Sequence, residues 1–223
     1  MKELAIFDLD NTLIKKQSQV FLLAYAFKKG HIGFFSYIFI MLWFIAYKIG
    51  LVKNPKKIME FSFNFLKDKS IDEFESIIDD FFENKLKSTL FVEALRLVEK
   101  HKKDGRETLI VSNAIEYIPK KVVQYLGIDY FIGTKLEIIN NKFTGKIKGD
   151  IIYGRNKVAS INDFVREKGF SLDNSYGYSD HYSDIPFLEM VANPFAVNPD
   201  SKLQNKAKKE NWPILIFKQT IKL

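Results

Sequence analysis

The chain has 223 residues, 47% of them hydrophobic and 27% charged, enough for one sizeable core plus a small accessory domain. It has no cysteine, which excludes disulfides and fits a reducing, intracellular compartment. A net charge of +7 invites nucleic acid as a partner. Only Arg96, Arg106, Arg155 and Arg166 among the 34 basic residues are arginines, however, and no nucleic-acid-binding motif interleaves the lysines, so solvated lysine-rich faces are the simpler account.

Residues 4–7, LAIF, read as a short buried strand that runs straight into Asp8 and Asp10, two carboxylates one residue apart. Aspartates after a strand often do no more than decorate a turn, so their meaning depends on the rest of the chain. The opening apolar run is too short for a secretory leader, is broken by these aspartates and lacks a small-residue cleavage site. Between Asp10 and Glu60 there is no acidic residue but eight lysines. Within that cationic stretch, residues 30–47 (GHIGFFSYIFIMLWFIAY) carry no formal charge. Eighteen residues is the lower limit of a membrane span, and His31, two glycines and Ser36 dilute it. A core-packed or dimer-forming helix and a helix lying on a membrane surface or greasy ligand are the other outcomes. Residues 20–90 are expected to be helical throughout: two very apolar helices up to residue 47, one over 55–66, and SIDEFESIIDDFFENKL, with Ser70 as N-cap and Glu73 three residues on.

Helix and strand then alternate. A helix is expected over 90–101, a strand over 107–113, a helix over 117–126, one strand over 129–138 leading to a hairpin around NNKFTGKI, and a helix over 157–168. NSYGYSD, NPFAVNP and PILIF complete the strand series, with short helices between. This alternation predicts an α/β fold with a mostly parallel sheet covered on both faces, and ligands outside the carboxyl ends of its strands. Asp8, Asp10, Ser112, Asp180 and Asp184 all follow apolar runs at such ends, and Lys157 starts a helix that reaches the same edge. Close carboxylates repel unless a cation or proton separates them, and Mg²⁺ held by a few carboxylates plus substrate phosphate meets that need. Of the histidines, His31 and His101 are assigned to the inserted helices and the surface, His181 to a loop.

In order and spacing, FDLDNTL, Ser112 in LIVSN, Lys157 and GYSDHYSDIPFLE resemble the four motifs of the haloacid dehalogenase superfamily of phosphatases. The insertion after the first motif is similar to the small helical cap of the phosphoserine-phosphatase-like branch, subfamily IB. The resemblance implies a Rossmann-like core made of residues 1–14 and 91–223, with a C1-type helical cap at 15–90. It also implies that Asp8 is a nucleophile forming an aspartyl-phosphate and that Asp10 is the acid and base. Ser112, Asn113 and Lys157 would hold the phosphoryl oxygens. Mg²⁺ would sit on Asp8, Asp180 and the main-chain carbonyl of Asp10, with Asp184 in support.

Phosphoserine phosphatases grip their amino acid with an acidic residue shortly after the first motif and an arginine in the cap. Here the first position is Gln17, and residues 11–91 contain no arginine. The expectation is therefore a Mg²⁺-dependent phosphomonoesterase acting on a small phosphorylated metabolite in the cytoplasm, with no nucleic-acid partner. Histidinol phosphate and a phosphatidylglycerophosphate-type lipid are the alternative substrates, the latter with peripheral association at the inner face of the membrane. From a different class, a non-catalytic membrane-associated protein on the same scaffold is disfavoured by the intact motifs.

Overall fold

The computed structural model describes residues 3–48 and 54–222. Strand β1 (Leu4–Phe7), with all four side chains buried, is central in a six-stranded sheet of order β3-β2-β1-β6-β7-β8. Its partners are β2 (Glu107–Ile115) and β6 (Tyr176–Ser179), flanked by β3 (Tyr130–Thr134) on one side and by β7 (Asn193–Val197) and β8 (Ile214–Leu215) on the other. Every pairing in this sheet is parallel. The chain steps from β1 outward to β2 and β3, then returns to the other side of β1 at β6. A crevice forms where strand order reverses, so the C-terminal ends of β1 and β6 frame the expected ligand position.

Helices α1 (Ser18–Lys28), α2 (Phe34–Lys48), α3 (Pro55–Phe63) and α4 (Ile71–Phe81) are inserted after β1, and α5 (Val92–Lys103) leads into β2. Their ends follow local chemistry. Asn54 accepts a hydrogen bond from the Lys57 N–H with Pro55 at the first helical position, and Ser70 and Glu73 form a reciprocal capping box. Helix α4 continues into a π-helical stretch, Phe82–Leu86. Among the described residues of 15–90 no strand forms, and only isolated bridges, such as Ser70 to Lys142, touch that segment.

Helices α5 and α6 (Tyr117–Leu126), together with the inserted helices, share one core with one face of the sheet, including Phe7, Leu23, Phe74 and Phe81. Helices α7 (Arg155–Lys168), α8 (Ile185–Leu188) and α9 (Ser201–Lys209) border a second cluster on the opposite face, around Ile6, Leu109, Ile161 and Leu203. The insertion is fastened to α6 by α4: Glu75 pairs with Lys120 at 2.8 Å, Asp79 pairs with Lys121, and Phe74 meets Tyr117 edge-on.

Three expectations need correction. The single strand over 129–138 is two: β3 ends at Thr134, and β4 (Leu136–Ile139) leaves the sheet to pair antiparallel with β5 (Lys142–Ile147), its turn made by Asn140 and Asn141 with positive φ. The strand expected to end near residue 113 continues to Ile115 through a register shift between Val111 and Ile115, so Ser112 sits at a bulge rather than at a terminus. His101, expected on the surface, is 2% exposed; its Nε2 lies 2.7 Å from the Tyr178 hydroxyl, between Phe7 and Tyr176. Helix α2 has its predicted place, and no helix among the described residues is long and apolar enough to cross a membrane.

Candidate active site

Asp8 is the first residue beyond β1, its N–H donating to the Tyr178 carbonyl at 2.9 Å. The chain then turns sharply, with the N–H groups of Thr12, Leu13 and Ile14 all directed at the Leu9 carbonyl. Asn11 sits in that turn at a φ of 57°, a left-handed conformation asparagine tolerates better than most residues. From there its side-chain N–H donates to Asp180 Oδ2 at 3.1 Å, so β1 and β6 are clamped across the crevice.

Lys157, in the first turn of α7, is 3% exposed and donates to Asp8 Oδ1 at 2.7 Å and to Asp184 Oδ2 at 2.6 Å. The same Asp184 oxygen accepts from the Ser179 hydroxyl at 2.7 Å. Burial alone would lower the Lys157 pKa, but Asp184 and Asp8 together outweigh it and raise it, so the ammonium stays charged. For Asp8 burial dominates in spite of this ion pair: its carboxyl is raised to about 7, with Asp184 and Asp10 adding to the effect and Lys157 opposing it. Asp180 is raised to about 8 by burial and then by Asp8, against the Asn11 hydrogen bond. Asp10 is raised to about 6 by burial, against its hydrogen bonds with Ser18.

Asp10 Oδ1 accepts the Ser18 N–H at 3.0 Å, which ties the first turn of α1 to this carboxylate. Ser112 is buried and its hydroxyl accepts the Ala114 N–H at 3.1 Å. Asn113 is half-buried, and its side-chain carbonyl oxygen has no hydrogen-bond partner. Gln17 is exposed just before α1 and makes no side-chain cap. The geometry thus joins Asp8, Lys157 and Asp184 directly and links Asp180 to the same turn through Asn11. Gln17 lies at the N-terminal end of α1, outside these hydrogen bonds.

The Asp8 charge raises Asp180, and Lys157 engages Asp8 through one oxygen only. Hard carboxylate oxygens short of positive charge suit Mg²⁺, which binds through one or two carboxylates and leaves its other positions to water and substrate. Asp184 accepts from both Lys157 and Ser179 through one oxygen, Oδ2. No group of three or more His, Cys, Asp or Glu side chains among the described residues forms a cage for a metal. Two open hollows of about 470 Å³, one between α8 and α9 and the other between β3 and α7, include none of these carboxylates.

Asn11, Ser179 and Asn198 were missed by sequence reasoning. Asn198 donates from its side chain to the Asn11 carbonyl at 3.3 Å and so supports the turn after β1. Short polar residues directly beside aspartates at strand ends were the available signal for Asn11 and Ser179; Asn198, 187 residues from its partner, offered none.

Residues 5–189 match the haloacid dehalogenase-like hydrolase family. The chain is 33% identical to a histidinol-phosphatase of Neisseria meningitidis, over 98% of this chain and 100% of that protein. It is 24% identical to a phosphoserine phosphatase of Mycobacterium tuberculosis, over 96% of this chain and 70% of the relative. Among solved structures, a Bordetella pertussis protein of unknown function superimposes with a TM-score of 0.89 at 26% identity, covering 96% of this chain and 98% of the other.

Proposed function

The chain belongs to the haloacid dehalogenase-like hydrolases as a phosphatase of the phosphoserine-phosphatase-like kind, and from that premise we propose that it hydrolyses a small phosphomonoester through an aspartyl-phosphate on Asp8. The observation that carries this is the buried Asp8, fixed on one oxygen by Lys157 at 2.7 Å and flanked by Asp10 and Asp180 at the crevice of the sheet. The second oxygen of Asp8 attacks phosphorus as the bond to the leaving alkoxide breaks. Asp10, whose carboxyl burial raises to about 6, gives its proton to that alkoxide. Asp10 then takes a proton from the water that attacks the acyl phosphate, releasing inorganic phosphate and restoring Asp8. Lys157, Ser112 and Asn113 hold the phosphoryl oxygens, and the Lys157 charge offsets repulsion between Asp8 and the incoming dianion. Mg²⁺, held by Asp8, Asp180 and the Asp10 main-chain carbonyl, would neutralise charge on the transferring phosphoryl group.

We assign residues 15–90 as the cap and the remainder as the core. The Ser18 contact to Asp10 makes the cap sensitive to the state of the acid, and a cap over this edge excludes bulk water. For the substrate, resemblance to the Neisseria histidinol-phosphatase over its whole length favours histidinol phosphate, while the exposed Gln17 and the arginine-free segment 11–91 disfavour phosphoserine. A panel of phosphorylated metabolites, assayed with Mg²⁺ and again after chelation, tests this. Mass-spectrometric capture of a phosphoryl group on the Asp8 peptide supports the covalent route, whereas metal-dependent turnover by Asp8→Asn at the wild-type rate would sink it.

A further inference from the structure

We propose that the outer face of α2 docks in the plane of an anionic phospholipid bilayer. At 100° per residue, Phe34, Phe35, Ile38, Phe39, Leu42 and Ile45 fall within an arc of roughly 140°, and each is exposed, Phe35 by 76%. The opposite side is already satisfied: Ile40 is buried, Tyr37 stacks on Phe27 at 4.3 Å, and Trp43 stacks on Phe61 at 5.3 Å. At about 150–250 Å² of surface for each of the three aromatics, and somewhat less for each of the three aliphatic side chains, the outer arc leaves roughly 600 Å² of apolar area in water, at the upper end of what ordinary monomers expose.

Charge identifies the occupant. The whole stretch between Asp10 and Glu60 lacks an acidic residue and carries eight lysines. Lys29 is paired with Asp80 at 2.9 Å and Lys56 donates to the Gly149 carbonyl, but Lys28, at the end of α1, and Lys57, in the first turn of α3, are exposed on the helices that precede and follow α2. A second copy of the chain is a poor partner. Twofold pairing of a face with itself, helix against antiparallel helix, sets the Lys28 flank of one copy beside the Lys57 flank of the other, with no acidic side chain in the segment to relieve the repulsion. An anionic bilayer supplies both an apolar interior for the aromatics and negative headgroups for the lysines. Helix α2 has 15 residues, about 22 Å at 1.5 Å each, against a hydrocarbon layer of about 30 Å, so it lies in the interface rather than crossing it.

Vesicle flotation tests this with the full chain. The protein should float with phosphatidylcholine vesicles containing phosphatidylglycerol, and about tenfold less with phosphatidylcholine alone or in high salt. Phe35→Ser/Phe39→Ser/Leu42→Ser and, separately, Lys28→Glu/Lys57→Glu should each lose most of the binding, with circular dichroism and thermal melting confirming that both variants stay folded. Equal binding to neutral vesicles would overturn the electrostatic half of the proposal. No flotation with either vesicle would overturn it outright, as would a dimer in light scattering that the triple serine variant converts to monomer.

Discussion

Replacing Lys157 with methionine keeps an unbranched apolar stem, one heavy atom shorter, and removes the charge lying between Asp8 and Asp184. At 2.7 and 2.6 Å, and an effective dielectric constant of about 20, each contact corresponds to roughly 6 kcal/mol of gross attraction. Desolvation of three buried ions and repulsion between the two carboxylates offset most of that, and breaking a buried pair from one side typically costs about 3–5 kcal/mol. Lys157→Met should therefore lose about 3–5 kcal/mol in urea unfolding at pH 8 without metal, together with nearly all phosphatase turnover. Asp8 already has a folded pKa of about 7 against 3.8 unfolded, and without Lys157 it rises further. A raised folded pKa means that the folded state holds protons the unfolded state has released, so the deficit of the variant should shrink as pH falls from 8 towards 5. In a double-mutant cycle, Asp184→Asn should cost less in the Lys157→Met background than alone, by about 1–3 kcal/mol. A loss under about 1 kcal/mol, unchanged with pH, would show that Lys157 is not what makes this carboxylate cluster tolerable.

In the metal-free protein, Asp8, Asp10 and Asp180, with folded values of about 7, 6 and 8, contribute stability at low pH that is lost as pH rises from about 4 to 8. Millimolar Mg²⁺ should raise the Tm at pH 8 and leave it nearly unchanged at pH 5, as scanning calorimetry would report. Asp8→Asn should abolish turnover while keeping the fold, whereas Asp10→Asn should still form phosphoenzyme from substrates with good leaving groups and hydrolyse it slowly, which quenched-flow trapping would separate. His101 is held at about 4 by burial first and then by Arg106, so only its unfolded form takes up a proton between about pH 6.5 and 4. Its burial should cost roughly 2 kcal/mol at the acid end after allowing for screening, and His101→Gln should flatten that part of the stability profile measured in urea.

How far the site was legible depended on what fixes each residue. Asp8, Asp10 and Asp180 could be found because an apolar run ending in a carboxylate is a local pattern that survives without knowledge of the partner strand. Ser70 and Glu73 form the expected capping box for the same reason. The split of residues 129–138 into β3 and β4 was not local: the aromatic and branched residues on both sides of Lys135 suit a strand, and what ends β3 is loss of its parallel partner, since β2 stops at Ile115, opposite Thr134. His101 looked like a surface residue in a lysine-rich helix, and only the fold brings Phe7, Tyr176 and Tyr178 around it. Asn198 joins the site through a contact across 187 residues that no periodicity encodes.

The strands carrying Asp8 and Asp180 and the helix carrying Lys157 belong to the sheet and its flanking layer, whereas the exposed Gln17 and the apolar helix α2 belong to the segment inserted between β1 and β2. The two parts are joined by polar contacts at α1, α3 and α4, among them the Ser18 N–H on Asp10, the Ile147 N–H on Glu60 and the Glu75–Lys120 pair. The outward face of α2 is turned to solvent, and the neighbours of that helix are α1 and α3, so changes on this face should leave the geometry around Asp8 in place. A chain built this way can vary what its insertion touches while keeping one chemistry at the strand ends. Serine substitutions at Phe35, Phe39 and Leu42 should accordingly leave kcat on a soluble phosphomonoester within about twofold of wild type, as expected for solvent-facing positions. A large fall in kcat, with the melting temperature unchanged, would show instead that the outer arc communicates with the carboxylates through α1.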